Sequence, residues 1–253
     1  MIVIPMAGLS RRFMLAGYSQ PKFMLDLFGE TVFEHSVGSF RACFADTPFL
    51  FIARETGGVE AFIRHQAQGL GIADVRIAML DHETAGQAET VERGLDIIAA
   101  AEDSAITIFN IDTFRPGFRQ PSPDRLATLA GYLEVFRGSG SNWSYVRPSD
   151  TGLRLAAETA EKRPISEFCC TGLYHFARAE HFYAALAAER LSPQSHELFV
   201  APLYNHLIGK GLAVGYEIVE AEDVIFCGTP GEYEALLGDQ SFGVVSASSN
   251  RLA

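Results

Sequence analysis

Short apolar runs alternate with longer stretches whose apolar residues recur at helical spacing. Ile2-Val3-Ile4, ended by Pro5, has the β-branched density of a buried strand. Similar runs predict strands over 49–52, 75–79 and 106–109, the last broken at Asn110. Between them, helical periodicity covers 31–43, 59–70 and 86–101, with Val91, Leu95 and Ile98 on one face of the third. The second half is less regular. Its pattern predicts helices over 126–136, 179–189 and 195–207, and strands over 143–146, 169–176 and 213–218. Strand and helix in alternation imply an α/β fold with a mixed, mostly parallel, Rossmann-like sheet and helices on both faces. Pro121, Pro123, Gly138 and Gly140 mark loops rather than a boundary, so the expectation is one domain over residues 1–253.

Composition narrows the function classes. With 20 basic against 31 acidic residues the net charge is −11, which argues against a nucleic-acid coat or an anionic membrane surface. No apolar run approaches the ~18 residues of a membrane helix. The start is too short for a signal-peptide core, and the four cysteines form no C-x-x-C pair, so a cytoplasmic protein with reduced thiols is expected.

One segment departs from this acidic background. The first 25 residues hold Arg11, Arg12 and Lys22 and no carboxylate, in a loop that follows the first strand. Open parallel sheets bind ligands beyond the carboxyl ends of their strands. Ala7, Gly8 and Ser10 are small enough to let backbone N–H groups approach a polyanion, and the flanking cations would neutralise it. The pattern is neither a Walker A motif nor G-x-G-x-x-G.

The run Ala7-Gly8-Leu9-Ser10-Arg11-Arg12-Phe13 followed by Pro21-Lys22 resembles the signature loop of the sugar-phosphate nucleotidyltransferases, with Ser10 where the second glycine usually stands. The resemblance implies a nucleotide-binding backbone at Ala7, Gly8, Leu9 and Ser10, a catalytic Arg12 and a phosphate-binding, catalytic Lys22. Thr84-Ala85-Gly86 looks like the turn that opens a helix beside the base, which implies nucleotide binding at Gly86. Asp112, after the fourth strand, matches the family's metal-binding aspartate, and a carboxylate there is the hard oxygen ligand that Mg²⁺ prefers. Glu161-Lys162 and Thr171-Gly172 resemble the elements that would hold the acceptor, and Glu197, expected to open a helix, fits a further position. The family's second metal aspartate is replaced by Phe226, which leaves Asp112 as the one strong protein ligand or brings in Asp223.

The function implied is condensation of a nucleoside triphosphate with a phosphorylated small-molecule acceptor, releasing pyrophosphate. The loop style is similar to that of short enzymes of surface-polysaccharide clusters, some of which act on non-sugar acceptors. Nucleobase, acceptor and oligomeric state, a homo-oligomer included, stay open. Two alternatives remain. A glycosyltransferase would use a nucleotide sugar, although it normally carries D-x-D where Ile111-Asp112-Thr113 supplies one carboxylate. A catalytically silent nucleotide-binding subunit would keep the loop without the chemistry.

Overall fold

The computed structural model describes residues 1–239 and 242. The first half runs β1 (Ile2–Pro5), α1 (Arg11–Leu15), a hairpin of β2 (Asp26–Leu27) and β3 (Glu30–Thr31), then α2 (Val32–Gly38) and β4 (Phe49–Arg54). It continues through α3 (Val59–Leu70), β5 (Val75–Leu80), α4 (Gln87–Ile97) and β6 (Ile106–Phe109). The second half comprises β7 (Thr113–Phe114), α5 (Pro123–Ala127), β8 (Gly131–Arg137), β9 (Ser144–Pro148), β10 (Ala156–Glu161) and β11 (Phe168–Phe176). It closes with α6 (Ala179–Leu191), α7 (Leu203–Gly209), β12 (Val214–Val219), β13 (Ile225–Phe226) and α8 (Pro230–Gly238).

The main sheet is mixed, in the order β10-β9-β11-β6-β1-β4-β5, with β8 pairing β11 and β12 pairing β8. The run β6-β1-β4-β5 is parallel, with Ile2 opposite Phe49 and Phe49 opposite Val75. β11 then runs antiparallel to β6, β8 and β9, and β12 returns parallel to β8. Alternate residues of β1 explain the layering. Val3 packs with Leu50, Ile52 and residues of α4, α6 and α7, whereas Ile2 and Ile4 pack with residues of α2 and α3. Each strand therefore presents apolar side chains to both faces, and helices cover both, as the sequence pattern predicts.

One predicted helix is not formed and a second is shortened. Over 126–136 the chain makes only the short α5 and then β8. Successive β8 residues point to opposite sides, Leu133 and Val135 into one apolar cluster and Tyr132 into the other. With both faces buried, Glu134 included, the period of two is hidden, so the run reads equally well as a buried helix. Over 195–207 the helix begins only at Leu203, after Pro202. The preceding segment instead engages its backbone with another part of the chain: Ala88 N–H donates to the Leu198 carbonyl at 2.8 Å, and Leu198 N–H to the Ala85 carbonyl at 3.0 Å. Glu197 thus lies in an irregular segment rather than at a helix start. β10, Ala-Ala-Glu-Thr-Ala-Glu, carries no strand-like composition and was not expected. It pairs with β9, and its Thr159 is fixed by Asn205 of α7.

Candidate active site

A cleft of about 800 Å³ opens beyond the carboxyl ends of β1 and β6. The first loop forms one wall. Ser10 starts α1 in the left-handed conformation at φ 50°, where glycine would be free of strain. Its hydroxyl has its own use: it accepts the Lys22 N–H at 3.1 Å and closes the loop on itself. Phe13 is buried and anchors the loop, with its ring 5.5 Å from Tyr18 and 6.1 Å from Tyr233. α1 is held by its apolar side while Arg12 lines the cleft.

Lys22 and Asp112 meet across this wall. Lys22 Nζ lies 2.5 Å from Asp112 Oδ2, both side chains about one-fifth exposed at 21% and 23%. Burial alone would push the Asp112 carboxyl up. Lys22, with help from Arg12, outweighs it and holds the group below the usual carboxylate range. Arg12, Lys22 and Asp112 therefore share one electrostatic neighbourhood. Asp112 is positioned by its own carbonyl, which accepts the Cys227 N–H at 2.8 Å, and Gly228 leaves room for it: a Cβ there would lie 2.9 Å from Oδ2. Arg11 is committed differently, pairing with Glu83 at 3.2 Å, and Glu83 also faces Arg54 at 3.5 Å. Of the three loop cations, Arg12 alone forms no ion pair among the described residues.

The remaining predicted residues mostly converge on the same cleft. Ala7, Gly8, Leu9, Ser10 and Gly86 line it, as do Glu161, Thr171 and Gly172. Gly86 has a structural duty besides. Its φ is 151°, and a Cβ would meet the Leu198 backbone at 2.6–2.9 Å, so the missing side chain lets the segment carrying Glu197 and Phe199 dock beside α4. Thr84 does not cap α4, whose N-cap is Gly86; its hydroxyl bonds to the Gly86 carbonyl and Thr90. Gly172, at φ 99°, lies within the register shift of β11 against β8, and its carbonyl accepts the Asn110 N–H. The Thr171 hydroxyl points away to Glu134, which leaves the backbone of this pair on the cleft side.

Lys162 is the exception. It does not line the cleft; its ammonium sits 4.5 Å over the Phe199 ring and 3.8 Å from Glu161. Burial pushes the Glu161 carboxyl up, only partly offset by the Ser144 hydroxyl and Lys162. Asp223 is exposed, outside the cleft lining. Phe226 pairs with Thr113 in β13–β7, next in the chain to Asp112, and turns its ring away to Trp143 and Phe136, 4.5 and 5.4 Å off.

Sequence reasoning missed several lining residues. Gln87 Nε2 donates to Asn110 Oδ1 at 2.7 Å, bridging the start of α4 to the end of β6. Trp143, Phe199 and Glu232 also line the cleft. For Asn110 a signal existed, since it breaks an apolar strand directly before Asp112. The aromatics come from separate segments that only the folded sheet assembles.

An oxygen-preferring cation fits this donor set. Asp112 stays ionised, and a hard divalent ion commonly takes one or two carboxylates and completes its shell with water and substrate phosphates. Among the described residues no three His, Cys, Asp or Glu side chains group for a metal, so an all-protein cage is not what this chain offers. All four cysteines are free, and no helix among the described residues is long and apolar enough to cross a membrane.

No protein-family model matches the chain, and no curated protein does. Among solved structures, a nucleoside-diphosphate-sugar pyrophosphorylase from Vibrio cholerae RC9 is 50% identical, with a TM-score of 0.89, covering 94% of this chain and 100% of that one. A putative glucose-1-phosphate thymidylyltransferase from Bacillus anthracis (15% identity, TM-score 0.72, 94% and 93% of the two chains) shares the fold. So does the inositol-1-phosphate CTP transferase from T. maritima (12%, TM-score 0.69, 94% of each chain). The order of strands, the cationic first loop facing Asp112 and the half-identical relative lead to one assignment: the chain belongs to the nucleotide-diphospho-sugar pyrophosphorylase family of nucleotidyltransferases.

Proposed function

We propose that the protein joins a nucleoside triphosphate to a phosphorylated small-molecule acceptor. A phosphate oxygen of the acceptor attacks the α-phosphorus of the triphosphate. A new P–O bond forms, the bond from the α-phosphorus to the bridging oxygen breaks, and pyrophosphate leaves with the electron pair. The observation that carries this reading is the meeting of Arg12, Lys22 and Asp112 at one wall of one cleft.

Both reactants are anions, so the barrier is dominated by bringing like charges together in line, and catalysis is chiefly positioning and electrostatic stabilisation. Arg12, free of a carboxylate partner among the described residues, is suited to neutralise the departing pyrophosphate. Lys22 would leave Asp112 for the α-phosphate and the acceptor phosphate. Backbone N–H groups of the Ala7–Ser10 loop would approach the triphosphate, the space beside Gly8 being open to everything but its chain neighbours. Gly86 and its neighbours would border the nucleoside, and Glu161 with the Thr171–Gly172 backbone would face the acceptor body. Lys162 would reach the acceptor only by leaving its seat on Phe199. Asp112 would hold Mg²⁺, whose role when bound is to neutralise phosphate oxygens. The acceptor phosphate is already ionised at neutral pH, so no general base is required.

The product would be an activated nucleotide conjugate of the kind consumed in surface-polysaccharide assembly. A pyrophosphate-release screen of CTP, UTP, dTTP, ATP and GTP against phosphorylated sugars and small phosphomonoesters tests the reading. Release that needs both substrates supports it. Release of nucleoside diphosphate from a nucleotide sugar would point to a glycosyltransferase, and tight triphosphate binding with no release to a silent subunit.

A further inference from the structure

The cleft is electrically polarised. Among the described residues, the Lys and Arg side chains that line it, Arg11, Arg12 and Lys22, come from the first loop or its end. On that side the carboxylates are engaged: Asp112 with Lys22, Glu83 with Arg11, and Glu232 with the backbone N–H groups of Gly228 and Thr229. The opposite side, built by β9, β10, β13 and the segment before α7, presents Glu161 and Glu197 together with the rings of Trp143, Phe199 and Phe226, and among the described residues no Lys or Arg lines it.

Glu161 is the sharper of the two acids. Its side chain is 11% exposed, it accepts the Ser144 hydroxyl, and the Lys162 ammonium at 3.8 Å is beyond hydrogen-bond distance. A carboxylate so withdrawn from water is costly unless a donor or cation meets it. The same corner already demonstrates which chemistry it holds, since the Lys162 ammonium rests 4.5 Å over the Phe199 ring beside Glu161. Aromatic faces with a carboxylate are the recognition chemistry of ammonium groups. The Phe226 ring packs against that of Trp143 at 4.5 Å, tilted by 55°, which keeps this end apolar around the carboxylates.

From this polarity we infer that the acceptor is a zwitterion, a phosphomonoester whose far end carries an ammonium group, seated with its phosphate toward Lys22 and its cation between Glu161 and the Trp143–Phe226 pair. The inference rests on the nucleotidyltransferase reading and narrows its acceptor. A neutral polyol phosphate would bring no positive charge to the acidic, aromatic end, where Glu161 has Lys162 at 3.8 Å and Glu197 has His196 at 3.5 Å.

The test compares phosphocholine and phosphoethanolamine with glycerol 3-phosphate and glucose 1-phosphate, each with the five triphosphates, by pyrophosphate release from the full-length protein. The expected result is a kcat/KM at least 100-fold higher for an ammonium-bearing acceptor. In Glu161→Gln, which keeps the size and the bond to Ser144, the KM for that acceptor should rise tenfold or more while kcat falls less than threefold. Equal or better turnover of the neutral acceptors by the wild-type protein overturns the zwitterion while leaving the nucleotidyltransferase reading intact. An unchanged KM in Glu161→Gln, with a wild-type melting curve, overturns the role given to Glu161. No pyrophosphate from any pair in this or the wider screen overturns both readings.

Discussion

Replacing Gly86 by alanine should undock the segment that carries Glu197 and Phe199. The added Cβ would lie 2.6 Å from the Leu198 carbonyl oxygen and 2.7 Å from its nitrogen, and backbone cannot rotate aside as a side chain would. Two hydrogen bonds join these strands of chain, Ala88 N–H to the Leu198 carbonyl and Leu198 N–H to the Ala85 carbonyl. Losing them costs about 0.5–1.5 kcal/mol each. Holding a non-glycine residue near φ 151° adds roughly 1–3 kcal/mol. A total near 4 kcal/mol corresponds to about 8–16 °C in Tm for a chain of this size. Thermal unfolding followed by circular dichroism reads the shift directly. Gly69→Ala is the control of opposite sign: Gly69 is exposed inside α3 with open space at its Cβ, and alanine there gains about 1 kcal/mol of helix propensity. If Gly86→Ala melts within about 2 °C of the wild type, the close approach is not what requires glycine here.

Other outcomes are expected. Arg12→Ala and Lys22→Ala should each lower kcat by 100-fold or more, roughly 2.7–4 kcal/mol of lost charge stabilisation; unchanged steady-state rates in both would remove them from the mechanism. Excess EDTA should abolish pyrophosphate release and added Mg²⁺ restore it, and full activity in chelator would contradict the role given to Asp112. Burial, reinforced by the terminal ammonium, pushes the His175 imidazole down to about 4. It is neutral in the fold, where it meets the Thr107 hydroxyl at 2.9 Å, and it protonates near 6.5 once unfolded. The stability it contributes is complete above pH 6.5 and drains as pH falls toward 4, by roughly 2–3 kcal/mol at 1.36 kcal/mol per pH unit. Urea midpoints of wild type and His175→Gln should therefore converge between pH 7 and 4.5; parallel curves would contradict the shift.

The legible part of this fold is its parallel half. Ile2-Val3-Ile4 and Phe49-Leu50-Phe51-Ile52 are too short and β-branched or aromatic for helices, and the helices between them keep one apolar face, so residue pattern and structure agree there. The antiparallel half hides its period. β8 is buried on both faces, its Glu134 included, and β10 is built of alanine, glutamate and threonine, so tertiary pairing rather than local preference decides both. The cationic loop was readable because three cations without a carboxylate stand out from an acidic chain. The acidic, aromatic wall was not, because Trp143, Glu161, Phe199 and Phe226 are spread over 84 positions and meet only when β9, β10 and β13 are in place. Lys162 was legible as a motif, but its seat on Phe199 follows from the docked 192–202 segment, whose irregular course the helical spacing concealed.

The most direct measurement is a crystal structure of the protein with a non-hydrolysable triphosphate analogue and Mg²⁺. The expected result is phosphate oxygens within hydrogen-bond distance of Arg12 and Lys22, and the metal on Asp112. Phosphates bound elsewhere, with the Lys22–Asp112 pair undisturbed, would contradict it.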